Sequence, residues 1–365
     1  MLYIFTFIIL LLSAIIESFE IKKISKTLFV FLIFYLIIHD GMRWEIGTDW
    51  KNYNEYFNNC LNSGSNTMSF SIGYVIINVL VRTISDSYTL FLFVHAFIVY
   101  GLLAYSIYRL SPKPIFSLLL YYGMMLPYLG MNRQIIALVI CLFSLLFLLK
   151  EEKKKFILGI IIASLFHTSC LLFLVALFLR KEIKTNYLII SLTTVIVLAL
   201  FGLVNKLPLN IIYVFASDDP MSTINKIGFY AENKFLDTNI IFTVLAIFKR
   251  LIWLIITFYI IRYTKLKNSK LILFFNLYFF GSLIYILFNN TILQIIVARG
   301  LIYFNIFEIF VISYILLLNR NILFRTIIIS TLTVYSYLGV LKGFNFYKED
   351  LGEDIFRPYK SILSN

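Results

Sequence analysis

The sequence predicts an all-α fold, a polytopic bundle of membrane helices, from two observations. Hydrophobic residues make up 61% of the 365 residues and charged residues 14%, whereas soluble domains carry about 45–50% and about 25%. Apolar runs long enough to cross roughly 30 Å of hydrocarbon as helices recur along the chain, without the alternating polarity of barrel strands. We therefore expect about eleven or twelve membrane segments, some of them short or re-entrant.

The positions of lysine and arginine predict how this bundle is oriented. Basic residues mark cytoplasmic connections, and two basic groups lie between apolar runs, at 22–26 and 150–155. With these two connections in the cytoplasm, residues 41–70 and 205–239 become external loops, and a polar tail at 339–365 also lies outside. We expect a single membrane domain, residues 1–365, whose first apolar run is a retained span because no basic region precedes it.

The first half of the chain then divides as follows. Residues 28–38 lead outward, and in the loop that follows, Trp50, Tyr53 and Phe57 are spaced to line one face of an interfacial helix. Residues 72–81 are too short to span comfortably and are expected to be re-entrant. Residues 90–108 return inward.

The next segments are interrupted by helix breakers. Residues 115–126 lead outward to a break at Pro127 and Gly130, and Arg133 opens the following inward helix, near the external face. Basic residues at both ends of the run 156–179 favour two half-helices that meet around His167. The later predicted spans are 188–203, 240–261, 271–288, 301–318 and 322–338.

Several classes of function are disfavoured by composition. The net charge is +13, but the basic residues are distributed over short loops instead of one patch, so we expect no nucleic-acid partner. The 3 cysteines show no metal-ligand spacing. Nucleotide-binding loops and Asp-x-Asp pairs are also absent from the sequence. We therefore expect no metal, cofactor or nucleotide.

Arginines recur at the predicted external helix ends, at Arg43, Arg133 and Arg299. A guanidinium stays charged and presents a planar fork that fits phosphate, so converging arginines could clamp a pyrophosphate without a metal. The alternative is interfacial snorkelling of each side chain. Tyr303 follows Arg299 by four residues, hence on the same helix face, where it either reaches the same ligand or packs in the core.

Lys249 and Arg250 interrupt an otherwise apolar span. Charges at such a depth are usually functional or paired, so both are candidates to bind the substrate phosphates. Glu308, about midway through a later span, is a candidate counter-ion, and a purely structural ion pair is the alternative.

Three residues are candidates for proton transfer. His167 lies at the predicted helix break, where a cavity or another helix commonly lies. Asp49, one helical turn before Tyr53, could take a proton from a sugar hydroxyl or orient that sugar, and Glu45 could substitute for it. The alternatives are a hydrogen-bonded packing role for His167 and helix capping by Asp49.

Four short strings carry a resemblance. They are G-M-R-W-E-I-G-T-D-W-K-N-Y at 41–53, N-R-Q-I-I-A at 132–137, S-L-F-H-T-S at 164–169 and A-R-G-L-I-Y at 298–303. Together, and in this order, they resemble the EpsG-type Wzy polymerases of O-antigen, capsule and exopolysaccharide synthesis. Tryptophan at Trp44 and Trp50 stands where tyrosine is more usual in that family.

The resemblance implies a GT-C-like, metal-independent glycosyltransferase of the bacterial cytoplasmic membrane. It would transfer a growing glycan from undecaprenyl pyrophosphate to the terminal sugar of a lipid-linked repeat unit, outside the cytoplasm. A flippase and a chain-length regulator are the protein partners it implies. Under this reading Arg43, Arg133 and Arg299 stabilise the leaving group, with Lys249 or Arg250 assisting, and Asp49 or His167 is the base.

Two alternatives remain at the level of sequence. An O-antigen-ligase-like enzyme uses the same lipid donor with a different acceptor. A flippase or other transporter of lipid-linked oligosaccharides could also line a glycan path with arginine and tyrosine. The absence of repeat symmetry in the sequence disfavours transport.

Overall fold

The fold is described here from a computed structural model that covers residues 2–19, 22–61, 70–206, 240–291, 293–318 and 321–364. These residues form α-helices, 3₁₀ segments and a π-helical segment, which confirms the predicted all-α class. Most of the second predicted external loop, with Asp218, Asp219 and Asp237, lies outside the described residues.

The α-helices are numbered in chain order. They are α1 Leu2–Ser18, α2 Lys22–Gly41, α3 Trp50–Asn59, α4 Ile72–Ile84, α5 Tyr88–Leu110, α6 Pro114–Met125, α7 Asn132–Leu149, α8 Lys153–Ser164, α9 Thr185–Leu200, α10 Ile240–Tyr263, α11 Ser269–Phe288, α12 Ile302–Asn305, α13 Phe307–Ser313 and α14 Ile322–Leu351.

Twelve apolar helical segments among the described residues agree with the expected number of membrane segments. The 6 that are long and apolar enough to cross a membrane are Ile24–Gly41, Tyr88–Leu110, Asn132–Leu149, Thr243–Tyr263, Ser269–Phe288 and Ile322–Asn345. The 6 shorter ones are Leu2–Ser18, Ile72–Ile84, Pro114–Tyr128, Thr168–Leu177, Thr185–Leu200 and Ile302–Leu317. The protein is therefore a multi-pass membrane protein with several short segments.

The chain divides into two compact units, and the prediction of a single domain stays a prediction. Unit 1 comprises Met1–Leu171 and Ser313–Asn365, and unit 2 comprises Leu172–Ile312. In unit 1, α2, α5, α7 and α8 pack in sequence, while α1, α6 and α14 form a second group. The second group contacts the first where α1 packs against α2 and where α6 packs against α2 and α5. In unit 2, α11 is the central helix, against which α9, α10 and α12 pack.

Local sequence signals explain where several helices begin and end. Pro114 occupies the first turn of α6, where its missing N–H costs nothing. Ser87 accepts a hydrogen bond from the Leu90 amide at the start of α5, and Asn268 does the same for Leu271 in α11. Gly352, with a left-handed φ of 75°, ends α14.

Two predicted segments differ in detail from the structure. α14 extends beyond the predicted span 322–338, to Leu351, while the polar external tail at 339–365 stays a prediction. The predicted span 301–318 agrees with an apolar segment, Ile302–Leu317, but the helix type changes along it. A π-helical segment, Ile296–Gly300, precedes α12 and α13, and a 3₁₀ segment, Tyr314–Leu317, follows them. Hydropathy indicates an apolar run of that length but does not report the breaks within it.

Other local predictions are confirmed. α8 ends at Ser164 and a 3₁₀ segment begins at Thr168, so His167 lies at a helix break. α7 begins at Asn132, directly before Arg133. α3 buries Trp50, Tyr53 and other aromatic residues along one face, as the spacing indicated.

Candidate functional site

The loop that follows α2, residues 42–49 and called the Arg43 loop here, is held by a close backbone contact. Gly47 has a φ of 105° and Gly130 a φ of 103°. A Cβ atom on Gly130 would lie 2.8 Å from Gly47 Cα and 2.9 Å from Thr48 N. Only glycine permits both the φ values and this approach. The contact brings the Arg43 loop next to the start of α7, where Asn132 and Arg133 lie.

Arg43 is buried under this loop, with 1% of its surface exposed. Its Nε lies 2.6 Å from Oδ1 of Asp40, and its terminal nitrogens donate to the Ile46 carbonyl at 3.0 Å and to Asn132 Oδ1 at 2.7 Å. Burial alone lowers the pKa of Arg43, but the Asp40 carboxylate, together with Tyr88 and Tyr74, opposes this effect, and the pKa is raised overall. Arg43 therefore bridges Asp40, the Ile46 carbonyl and Asn132 from a buried position, and it does not snorkel to the membrane interface.

Asn132 connects three elements at this point, although it entered the sequence analysis only as the first residue of the string N-R-Q-I-I-A. Its side-chain Oδ1 accepts from Arg43, and its backbone carbonyl oxygen lies 3.2 Å from Nε2 of His95 on α5. Its side-chain nitrogen donates to the Tyr74 hydroxyl on α4 at 3.5 Å. The first residue of α7 therefore ties α4, α5 and the Arg43 loop to one another.

A small cavity of about 30 Å³, lined by both apolar and polar side chains, lies beside this network. At roughly 10–15 Å³ of such volume per water molecule, it has room for about two waters. Its polar lining consists of Asp40, Arg43, His95, Tyr100, Tyr121, Tyr122, Tyr128 and Asn132. His95 on α5 lines the same cavity as Asp40 and Arg43.

Arg133 is half-buried and held against aromatic rings. Its Nε donates to the Tyr53 hydroxyl at 3.2 Å, and its guanidinium carbon lies 4.9 Å from the centre of the Phe70 ring. Burial raises the pKa of Tyr53, although Arg133 opposes the shift, so the phenol stays neutral. Among the described residues, Tyr53 is the acceptor for this guanidinium, which leaves Nη1 and Nη2 available for an anion.

The three proton-transfer candidates all belong to unit 1. Asp49 is half-buried at the start of α3, where its carbonyl accepts from the Tyr53 amide at 3.0 Å and its side chain does not cap the helix. Glu45 is exposed and lies 3.2 Å from Lys360. His167 is half-buried, with Nδ1 2.6 Å from the Ser169 hydroxyl. Of the three candidates, Asp49 is the one hydrogen-bonded to a member of the Arg133 and Tyr53 pair, since its carbonyl accepts from the Tyr53 amide.

The C-terminal segment, residues 353–362, covers the Arg43 loop. The Trp44 amide donates to the Lys360 carbonyl at 3.1 Å, and the Ile362 amide donates to the Met42 carbonyl at 3.0 Å. These bonds flank an antiparallel bridge between Arg43 and Ser361. The predicted loop and tail therefore lie on the same side of unit 1. The sequence held no motif that indicated this contact.

Unit 2 contains the remaining predicted residues. Lys249, 31% exposed, lies 2.9 Å from Glu308, which is 1% exposed and also accepts from the Tyr278 hydroxyl at 2.8 Å. The expectation that Glu308 is the counter-ion is confirmed. Arg250 donates to Asn305 at 3.2 Å, and its guanidinium carbon lies 3.9 Å from the centre of the Tyr285 ring.

Arg299 and Tyr303 are close in sequence but differ in environment. Arg299 is half-buried in the π-helical segment. Tyr303 is fully buried, at 0% exposure, which agrees with the core-packing alternative. Since Arg299 belongs to unit 2 and the other two arginines to unit 1, the three-arginine clamp stays a prediction. Among the described residues, no group of three His, Cys, Asp or Glu side chains is placed to hold a metal.

These features define a class, a multi-pass helical membrane protein with polar, arginine-containing sites among its apolar helices. The EpsG family matches residues 26–361, and the chain belongs to this family. Membership indicates a membrane protein of polysaccharide biosynthesis. The match includes Arg43, Arg133, Arg299 and most of the C-terminal segment. No match was found among curated proteins or among solved structures.

Proposed function

We propose that the protein is a polysaccharide polymerase that transfers a growing glycan from undecaprenyl pyrophosphate to the terminal sugar of a lipid-linked repeat unit. The observation that carries this proposal is the Arg133 arrangement, a half-buried guanidinium oriented by Tyr53 and Phe70 with Asp49 nearby. It combines a cation for a leaving diphosphate with a carboxylate for a sugar hydroxyl. Membership in the EpsG family supports the same chemistry.

In the proposed reaction, an acceptor hydroxyl oxygen attacks the anomeric carbon of the donor sugar. The new C–O bond forms as the bond from that carbon to pyrophosphate oxygen breaks, and the electron pair leaves with undecaprenyl pyrophosphate. Asp49 takes the hydroxyl proton and then releases it to solvent. Arg133 stabilises the negative charge on the leaving oxygen, while its Tyr53 contact fixes the orientation of the fork.

Arg43 and Asp40 form a buried ion pair that supports this site. Their ion pair, with Asn132, holds the Arg43 loop on the start of α7. A charge buried to this extent contributes by fixing its neighbours, and removal of one partner leaves the other without compensation. We therefore assign Arg43 a positioning role. In this proposal Arg133, and not Arg43, contacts the pyrophosphate directly.

In a bacterial cytoplasmic membrane, this site would face the periplasm or cell exterior, where a flippase delivers the repeat unit. That placement follows from the lysine-rich connections, which favour the cytoplasm. In unit 2, Lys249, Arg250 and Arg299 are proposed as further contacts for substrate phosphates.

The test uses purified protein in lipid nanodiscs with a synthetic undecaprenyl-pyrophosphate repeat unit, EDTA and no nucleotide sugar. We expect a ladder of multimers. Arg133→Ala should lower kcat/KM by about 10²–10³-fold, as removal of one preorganised donor commonly does. Arg109→Ala is the matched control, because Arg109 is an exposed arginine of unit 1 that also lies over a ring, Tyr105.

Each failure has a separate meaning. A ladder that Arg133→Ala leaves unchanged would refute the leaving-group role of Arg133 but not polymerisation. A single transfer to a foreign acceptor without a ladder would indicate a ligase. Movement of intact lipid-linked repeat across the bilayer without new bonds would indicate a transporter.

A further inference from the structure

The C-terminal segment is fastened to unit 1 at points outside the Arg43 loop. Phe356 is fully buried, with its ring centre 4.6 Å from that of Phe344, and its carbonyl accepts from the Tyr3 hydroxyl at 2.8 Å. The Tyr359 hydroxyl donates to the His39 carbonyl near the end of α2. The segment is thus anchored on α1, α2 and α14.

The segment also has local structure of its own. Oδ1 of Asp354 accepts from the Phe356 amide at 3.2 Å and from the Arg357 amide at 2.9 Å, while Oδ2 lies 2.8 Å from Arg357 Nε. Such side-chain-to-backbone bonds hold a turn in place. A segment that is both turned and anchored presents its backbone groups in a fixed position.

The Arg43 loop, by contrast, needs outside support. Glu45 has a φ of 52°, which is costly for a residue other than glycine. Backbone conformations of this kind persist only where their surroundings hold them. The Trp44 and Gly47 amides both donate to the C-terminal segment, to the Lys360 and Ile355 carbonyls at 3.1 Å each. The exposed Glu45 and Lys360 pair adds little, because surface ion pairs are weak.

We infer that residues 353–362 are a positioning segment for glycosyl transfer. By pairing with the amides of Trp44 and Gly47, they hold the Arg43 loop in the conformation that sets Asp49 and the first residues of α7. The inference rests on the proposed function for its activity readout. Tyr359 is the positioning residue whose side chain ties this segment to the end of α2. The segment needs no contact with the substrate itself.

The experiment compares three full-length variants and one truncation in nanodiscs. Tyr359→Phe removes the bond to the His39 carbonyl but keeps the ring, and Tyr359→Ala removes both. The truncation ends at Leu351 and is assayed with and without a synthetic peptide of residues 352–365. Glu353→Ala is the matched control, because Glu353 is an exposed residue at the start of the same segment.

We expect Tyr359→Ala to lower kcat at least tenfold with KM for the lipid-linked repeat unit changed less than threefold, because a small displacement of a reacting group costs rate more than binding. Tyr359→Phe should lie between this variant and the wild type, and Glu353→Ala should match the wild type. The added peptide should restore a measurable part of the activity that the truncated protein loses.

Hydrogen exchange provides a readout that does not depend on catalysis. In Tyr359→Ala, amides of residues 42–47 should exchange at least tenfold faster, while the Asn132 amide, which donates to Gly130 at 2.9 Å, should change less. If the wild type makes no ladder, the proposed function fails, and exchange still decides whether the segment holds the loop. Unchanged exchange in Tyr359→Ala, or a folded truncation with full activity, would overturn the inference.

Discussion

Gly130→Ala should disrupt the site at its backbone, without touching a charged group. The φ of Gly130 is 103°, and forcing an L-residue into such a conformation costs about 1–3 kcal/mol. The added Cβ would also lie 2.8–3.0 Å from backbone atoms of Gly47 and Thr48. Backbone cannot move aside as a flexible side chain can, so overpacking adds about 1–3 kcal/mol. Together the two costs should lower the free energy of unfolding of unit 1 by about 2–6 kcal/mol.

Thermal unfolding in detergent and the polymer ladder measure the two consequences. For domains of about this size, each kcal/mol lowers Tm by roughly 2–4 °C, so we expect a loss of at least about 4 °C and a slower ladder. Gly101→Ala is the control, because nothing lies within 4 Å of its added Cβ and its φ is ordinary. The reasoning is refuted if Gly130→Ala and Gly101→Ala unfold at the same temperature and polymerise at the same rate.

Two further predictions concern single contacts in unit 1. Tyr53→Phe removes the acceptor for Arg133 Nε, so kcat/KM should fall about 10–150-fold, which corresponds to the roughly 1.5–3 kcal/mol of a hydrogen bond to a charged group. An unchanged value would contradict the orienting role. Gly159→Ala places a Cβ 2.8 Å from Ser144 Cβ, with Ser144 Oγ closer still. This clash lies where α7 packs against α8, so the Tm of the protein should fall. Adding Ser144→Gly should recover part of that loss, and strictly additive losses would contradict the direct clash.

Hydropathy and charge were sufficient for much of the fold. The length of an apolar run decides whether it can cross the membrane as a helix, so the helical class was predictable. The break at His167 was predictable from the basic residues at both ends of the run 156–179. Breaks inside residues 301–318 and the length of α14 were not. They depend on local backbone geometry and packing, to which an average over an apolar window is insensitive.

The candidate site was only partly predictable. Arg133 was identified because arginines recur at the predicted external helix ends, and Tyr53 because of its spacing with Trp50 and Phe57. Their mutual contact, and the role of Asn132, depend on the Gly47 and Gly130 approach, which joins loops distant in sequence. The burial of Arg43 depends on Asp40 and on the C-terminal segment, both of which read as ordinary polar residues near a membrane boundary.

The central claim is that this EpsG-family protein forms glycosidic bonds at the expense of a lipid pyrophosphate linkage. The most direct measurement counts both products from purified protein and a synthetic undecaprenyl-pyrophosphate repeat unit. The account predicts a ladder of multimers with one undecaprenyl pyrophosphate released for each new bond, and strong loss of both products in Arg133→Ala but not in Arg109→Ala. Folded protein that releases no undecaprenyl pyrophosphate from its native repeat unit would contradict it.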